Sequence, residues 1–154
     1  MREFQKEKIW DLLLSAICKI GTIIRGYDLI EKKVSRNEIG APCNNYQIRL
    51  KNVELDREIE VSVVDYGVQV MITFYLRKTS SGEELNIRDF LAKTLDEDDV
   101  KMFLKPCPCS NFNELRVCID RLFDRIAGTS DNKLTELLNG EVWIESTFDW
   151  HGYK

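Results

Sequence analysis

The spacing of apolar and polar side chains changes its period twice along this chain. Ile9, Leu13, Ala16, Ile17, Ile20, Ile23 and Ile24 recur at three- and four-residue steps, the stripe of a helix with a buried side. Trp10, Leu12 and Leu14 widen that stripe, so the helix is expected to be covered on more than one side. Gly21 weakens its middle, and Gly26 supplies a stop near its end. Residues 32–45 are polar, contain Gly40 and Pro42, and read as a loop or broken turn.

The period then falls to two. Tyr46, Ile48 and Leu50 alternate with Gln47, Arg49 and Lys51; Ile59, Val61 and Val63 alternate with Glu58, Glu60 and Ser62. A third run carries Val68, Val70, Ile72, Phe74 and Leu76, with Asp65-Tyr66-Gly67 as the turn before it. Three such runs predict an antiparallel meander with one core face, ended by Thr79-Ser80-Ser81-Gly82.

Helical spacing returns after that turn. Asn86 with Asp89 resembles a capping box ahead of Ile87, Phe90, Leu91 and Leu95, and Asp96-Glu97-Asp98-Asp99 suits the acidic first turn of a short helix. Lys105-Pro106-Cys107-Pro108 breaks it. Asn111 and Glu114 form a capping box for a helix presenting Leu115, Cys118, Ile119, Leu122, Phe123 and Ile126, closed by Gly128. Leu134, Leu137 and Leu138 predict a further short helix stopped at Asn139-Gly140. Val142, Trp143 and Ile144 read as a last short strand. The aromatic tail from Trp143 to Tyr153 is expected to pack as that strand or a lid, with an exposed partner-binding patch as the alternative. The order predicts a single α+β domain over residues 1–154. It has an N-terminal helix, a three-stranded antiparallel meander, and then several helices packed on one sheet face.

Composition narrows the classes. The chain has 154 residues, 44% of them hydrophobic and 31% charged, enough for a core that needs neither metal nor disulfide to fold. No apolar run approaches the roughly 18 residues of a membrane helix. Met1 to Lys8 mixes acids and bases and leads into no signal-type cleavage site. Five cysteines in that setting predict thiols kept reduced in the cytoplasm, with Cys18 as a small core residue. Net charge is −4, but unevenly spread: residues 80–154 carry 9 Lys+Arg against 15 Asp+Glu, a balance of −6. An acidic surface steers basic partners and repels nucleic acid.

Candidate chemistry is sparse. Cys107, Cys109 and Cys118, with Cys43 or His151, could complete a tetrahedral zinc set, but the C-x-C spacing lacks a second close pair. Free thiols are the expectation there, with no metal and no cofactor. His151, the sole histidine, would have to fold back onto Cys107 or Cys109 to make a nucleophilic pair. No phosphate-binding glycine loop is present. Arg116, Arg121 and Arg125 share one helix, and Asp120, Asp124 and Glu114 are placed to neutralise them. No catalysis is expected.

Val63-Val64-Asp65-Tyr66-Gly67-Val68 at the end of the meander, the capped amphipathic helix and Leu137-Leu138-Asn139-Gly140-Glu141 together resemble small bacterial immunity proteins. These belong to contact-dependent growth inhibition and related polymorphic toxin systems; the resemblance covers roughly residues 46–141. It implies a cytoplasmic protein that occludes a cognate toxin domain, often a basic nuclease. The acids Asp96, Glu97, Asp98 and Asp99, with Glu83 and Glu84, are then the expected partner-binding surface. Two other readings stand beside it. One is an adaptor or chaperone-like module with the same surface. The other is a small enzyme or ligand-binding domain with a deep pocket near Tyr66, Tyr75 or His151.

Overall fold

The computed structural model describes residues 4–19, 26–40, 42–87, 107–129 and 136–143. Helix α1, Lys6–Cys18, buries Ile9, Leu12, Leu13, Ala16 and Ile17 as the stripe requires. Five strands follow: β1 (Asp28–Asn37), β2 (Cys43–Asn52), β3 (Arg57–Asp65), β4 (Gln69–Lys78) and β5 (Glu84–Asn86). A two-residue strand β6, Cys107–Pro108, precedes helix α2, Phe112–Thr129. The strands form one antiparallel sheet in the order β1-β2-β3-β4-β5, with β6 also pairing to β4.

This overturns the three-stranded meander followed by several helices: the protein is built mainly on a six-stranded antiparallel sheet. Two of the missed strands have clear physical causes. Nine of the ten residues of β1 are exposed, so neither face had to alternate, and only its ladder with β2 makes it a strand. Strand β5 is three residues long, and Thr79–Gly82 is a turn inside the sheet rather than its end. Gly82 N–H bonds back to Lys78 O at 2.8 Å, and Lys78 N–H to Glu83 O at 2.8 Å.

The core lies between one sheet face and the two helices. Tyr46, Ile48, Leu50, Ile59, Val61, Val63, Phe74 and Leu76 point from β2, β3 and β4 into a single cluster with α1 and with Leu115, Ile119 and Phe123 of α2. Phe74 and Phe123 meet with ring centroids 5.9 Å apart. Burying each such aliphatic or aromatic side chain is worth about 1.5–3 kcal/mol, enough to fix the register of the alternating strands.

The opposite face carries an ionic lattice. Arg49 pairs with Glu31 and Glu58, and Arg77 with Glu58, Glu60 and Glu84, joining β1 through β5. Gln47 donates to Glu60, and Ser62 bonds Thr73 beside it. The Glu84 and Glu58 hydrogen bonds hold Arg77 charged despite its desolvation, raising its pKa further above the usual arginine range.

At one end of the sheet, Arg57 fastens the segment 136–143. Its guanidinium donates to Leu137 O at 2.9 Å, Val142 O at 2.9 Å and Asp56 O at 3.1 Å, and it lies over the Trp143 ring. Tyr27 Oη donates to Leu138 O at 2.5 Å, and burial of this phenol pushes its pKa up. Residues 136–138 are helical and end at Gly140, with φ of +78°, as Asn139-Gly140 predicts. A Cβ there would lie 2.9 Å from Leu55 O. Val142 and Trp143 are not in a strand, which corrects that expectation. The Asn86 helix is described only at Ile87. Its continuation, the Asp96–Asp99 helix, Ile144 and the aromatic tail with His151 lie outside the described residues.

Candidate functional site

The N-terminal half of α2 is fixed by its cap. Asn111 Oδ1 accepts from Glu114 N–H at 2.9 Å, and the Glu114 carboxylate accepts from Ser110 N–H at 2.6 Å. That box orients two neighbouring stripes of the helix. Leu115, Ile119 and Phe123 enter the core, while Glu114, Val117, Cys118, Arg121 and Leu122 face a recess beside β4.

The recess has a volume of about 480 Å³. Val70, Met71 and Ile72 of β4, Pro108 of β6, and Val117 and Leu122 of α2 give it apolar walls; Asn111, Asn113, Glu114 and Arg121 give it polar groups. Val117 is 54% exposed there. Among the described residues the β4 edge beside it is only partly used. β6 pairs with Gln69 and Val70 and β5 with Tyr75, Leu76 and Arg77; among the described residues no strand pairs with Met71–Phe74 on that side. Apolar pockets and an unpaired stretch of strand edge are the two elements of extended-peptide recognition.

A disulfide closes the recess between β6 and α2. Cys107 and Cys118 are bonded, and both half-buried residues line it. This corrects the expectation of reduced thiols at these positions and removes both from a zinc set. Among the described residues no group of His, Cys, Asp and Glu is placed to hold a metal ion. Cys43 and Cys109 are buried and outside the disulfide, whereas Cys18, also outside it, is exposed, contrary to its assignment to the core. The packing explains the difference: Cys18 ends α1 past Ile17, at the edge of the buried stripe.

Arg121 is also placed differently from the sequence reading. Asp120 and Asp124 both approach Lys19 Nζ at 3.1 Å, tying the end of α1 to α2. Those two hydrogen bonds outweigh desolvation and raise the Lys19 pKa. Glu114 is held by Ser110 N–H and Arg116 by Asn113, at 3.4 Å. Arg121 has no ion pair among the described residues and contributes its guanidinium to the recess.

Of the acids assigned to a partner surface, the two described, Glu83 and Glu84, do not line this recess. Glu84 lies in β5, 2.5 Å from Arg77, within the lattice on the open sheet face. Glu83 is exposed at the adjoining turn. Asp96, Glu97, Asp98 and Asp99 lie outside the described residues. Tyr66 and Tyr75, expected for a catalytic pocket, do not line the recess. Its own signal in the sequence is Val117, an apolar residue off the core-facing stripe of a capped helix. Comparison with protein-family models, with curated proteins and with solved structures finds no match to this chain. Among the described residues no helix is long and apolar enough to cross a membrane.

Proposed function

We propose that this chain is a binding protein of the immunity type, which occludes a cognate toxin domain in the cytoplasm and catalyses nothing itself. The observation that carries the reading is the recess on the partly paired β4 edge. An extended segment of a partner can pair with Met71–Phe74 while one of its apolar side chains enters between Val70, Ile72, Val117 and Leu122. One desolvated anchor of this kind supplies much of the affinity of a protein interface. The acids Asp96, Glu97, Asp98, Asp99, Glu83 and Glu84 then serve as the steering surface for a basic toxin. Neither nucleic acid nor a membrane is the partner in this reading.

The volume favours a second reading, a small-molecule binding domain, because about 480 Å³ falls within the usual size of ligand sites. Co-expression with the toxin-like product of the neighbouring gene separates the two. The expected result is rescue of growth together with a stable complex. Val117→Asp should weaken that complex at least about tenfold while leaving the circular dichroism unchanged, since a buried unpaired carboxylate costs several times RT. Charge reversal at Asp96, Glu97, Asp98 and Asp99 should slow association and flatten its salt dependence. A complex without protection makes the chain an adaptor. Absence of a complex overturns the immunity reading.

A further inference from the structure

We propose that the recess is a binding site for a short peptide thiol, whose sulfur attacks the Cys107–Cys118 disulfide from within it. Three groups in the wall match three groups on such a ligand. Arg121, which has no ion pair among the described residues, offers a guanidinium for a carboxylate; Glu114, one of whose oxygens accepts from Ser110 N–H, offers a carboxylate for an ammonium; and Cys118 stands between them on the same stripe of α2. Residues 114 and 121 are two helical turns apart, about 10 Å along the axis at 1.5 Å per residue. A three-residue peptide spans roughly the same length when extended. A single free amino acid, with its ammonium and carboxylate on one carbon, cannot reach both. Asn111 and Asn113 add amide donors and acceptors for the ligand's peptide groups.

The chemistry balances as ordinary thiol–disulfide exchange. The ligand thiolate attacks Cys118 Sγ, a new S–S bond forms to the ligand, and the Cys107–Cys118 bond breaks. Cys107 leaves as a thiolate and takes up a proton. A second thiol molecule then attacks the ligand sulfur and releases Cys118 as a thiol. Two thiols are oxidised to one ligand disulfide, and the protein disulfide is reduced to two thiols. Reduction removes the covalent link between β6 and α2, two of the three elements that wall the recess. The proposal depends on the recess being accessible and not on the identity of any protein partner, so the toxin reading can fail while this one stands.

Protein purified without reductant, then denatured and alkylated, should show three reactive cysteines, Cys18, Cys43 and Cys109, and a linked Cys107–Cys118 peptide. Its rate of reduction is then compared for glutathione, a charged peptide thiol, and 2-mercaptoethanol, which carries no charge beside its sulfur. Arg121→Ala should slow glutathione about tenfold, the scale of one lost charge-assisted contact, and leave 2-mercaptoethanol within about twofold. In Cys107→Ser, oxidised glutathione should modify Cys118 about tenfold faster than exposed Cys18, because Lys19 beside Cys18 is already engaged by Asp120 and Asp124, whereas Arg121 near Cys118 can seat the reagent's carboxylate. Five free thiols in the native protein overturn the proposal. So does equal slowing of both thiols by Arg121→Ala, or modification of Cys18 ahead of Cys118.

Discussion

Arg57 is 3% exposed, and its hydrogen bonds go to backbone carbonyls instead of a carboxylate. That choice follows from where it sits. The segment 136–143 turns the carbonyls of Leu137 and Val142 toward it, and a planar fork with five N–H groups can serve several at once. The Trp143 ring covers the cation, 4.9 Å from the guanidinium carbon. Arg57→Ala removes a donor from both the Leu137 and Val142 carbonyls, leaving Leu137 O its longer bond from Gly140 N–H, and should cost about 1–3 kcal/mol, read as a lower urea midpoint with an unchanged slope. Arg57→Lys should recover only part of this loss, because an ammonium cannot span the same carbonyls. Full recovery by lysine would show that charge, and not the fork, fixes the segment. Nearby, Asp56 adopts φ of +56° and accepts from Ser80 Oγ, Thr79 Oγ1 and Ser80 N–H. The Ser80 and Thr79 bonds hold its carboxyl below the usual range and join the β2–β3 turn to the β4–β5 turn.

Helix α2 shows what local sequence can specify. Asn111 and Glu114 cap it as their spacing requires, and Leu115, Ile119 and Phe123 reach the core at helical intervals. Asn111→Ala should therefore lower stability by about 1 kcal/mol, measurable as a drop in the thermal midpoint. Glu114 keeps its bond from Ser110 N–H in that variant, so the helix start loosens without losing its place. Strand β1 shows the opposite case. It buries almost nothing, and Lys32, Lys33 and Arg36 make it resemble a loop; the facing backbone of β2 and the Glu31–Arg49 pair hold it extended. Lysines on such an edge also discourage pairing with other chains. Central strands β2 and β3 were legible because one face must be apolar, whereas β1 and β5 owe their state to the ladders of the adjoining strands β2 and β4, and β6 to a partner far earlier in the chain. The recess was hidden for the same reason. Its walls come from residues 70–72, 107–108 and 111–122, and only the fold brings them together.

At the scale of the whole molecule, β1 to β5, α1 and the core-facing stripe of α2 form the body, and β6 with the recess-facing stripe of α2 forms a wall at one edge. The Cys107–Cys118 bond lies entirely within that wall and closes a loop of only 11 residues' separation. A loop of that length removes about 3 kcal/mol of conformational entropy from the unfolded chain. Small domains are stable by roughly 5–15 kcal/mol, and Cys107 and Cys118 pack against the core cluster of β2, β3, β4, α1 and α2 without being among its buried members. Reduction should therefore lower the unfolding free energy by up to about 3 kcal/mol and leave the far-ultraviolet circular dichroism intact. The change should be concentrated at β6. The Cys109 N–H bond to Val68 O, 3.0 Å long, holds the end of that short strand, so its amide should exchange faster in the reduced protein. Amides of Ile59, Val61 and Val63 should keep their protection relative to global stability, since they are fully buried in the body. Loss of all protection on reduction would mean that the wall and the body fold as one unit. The recess could then not open without the protein unfolding.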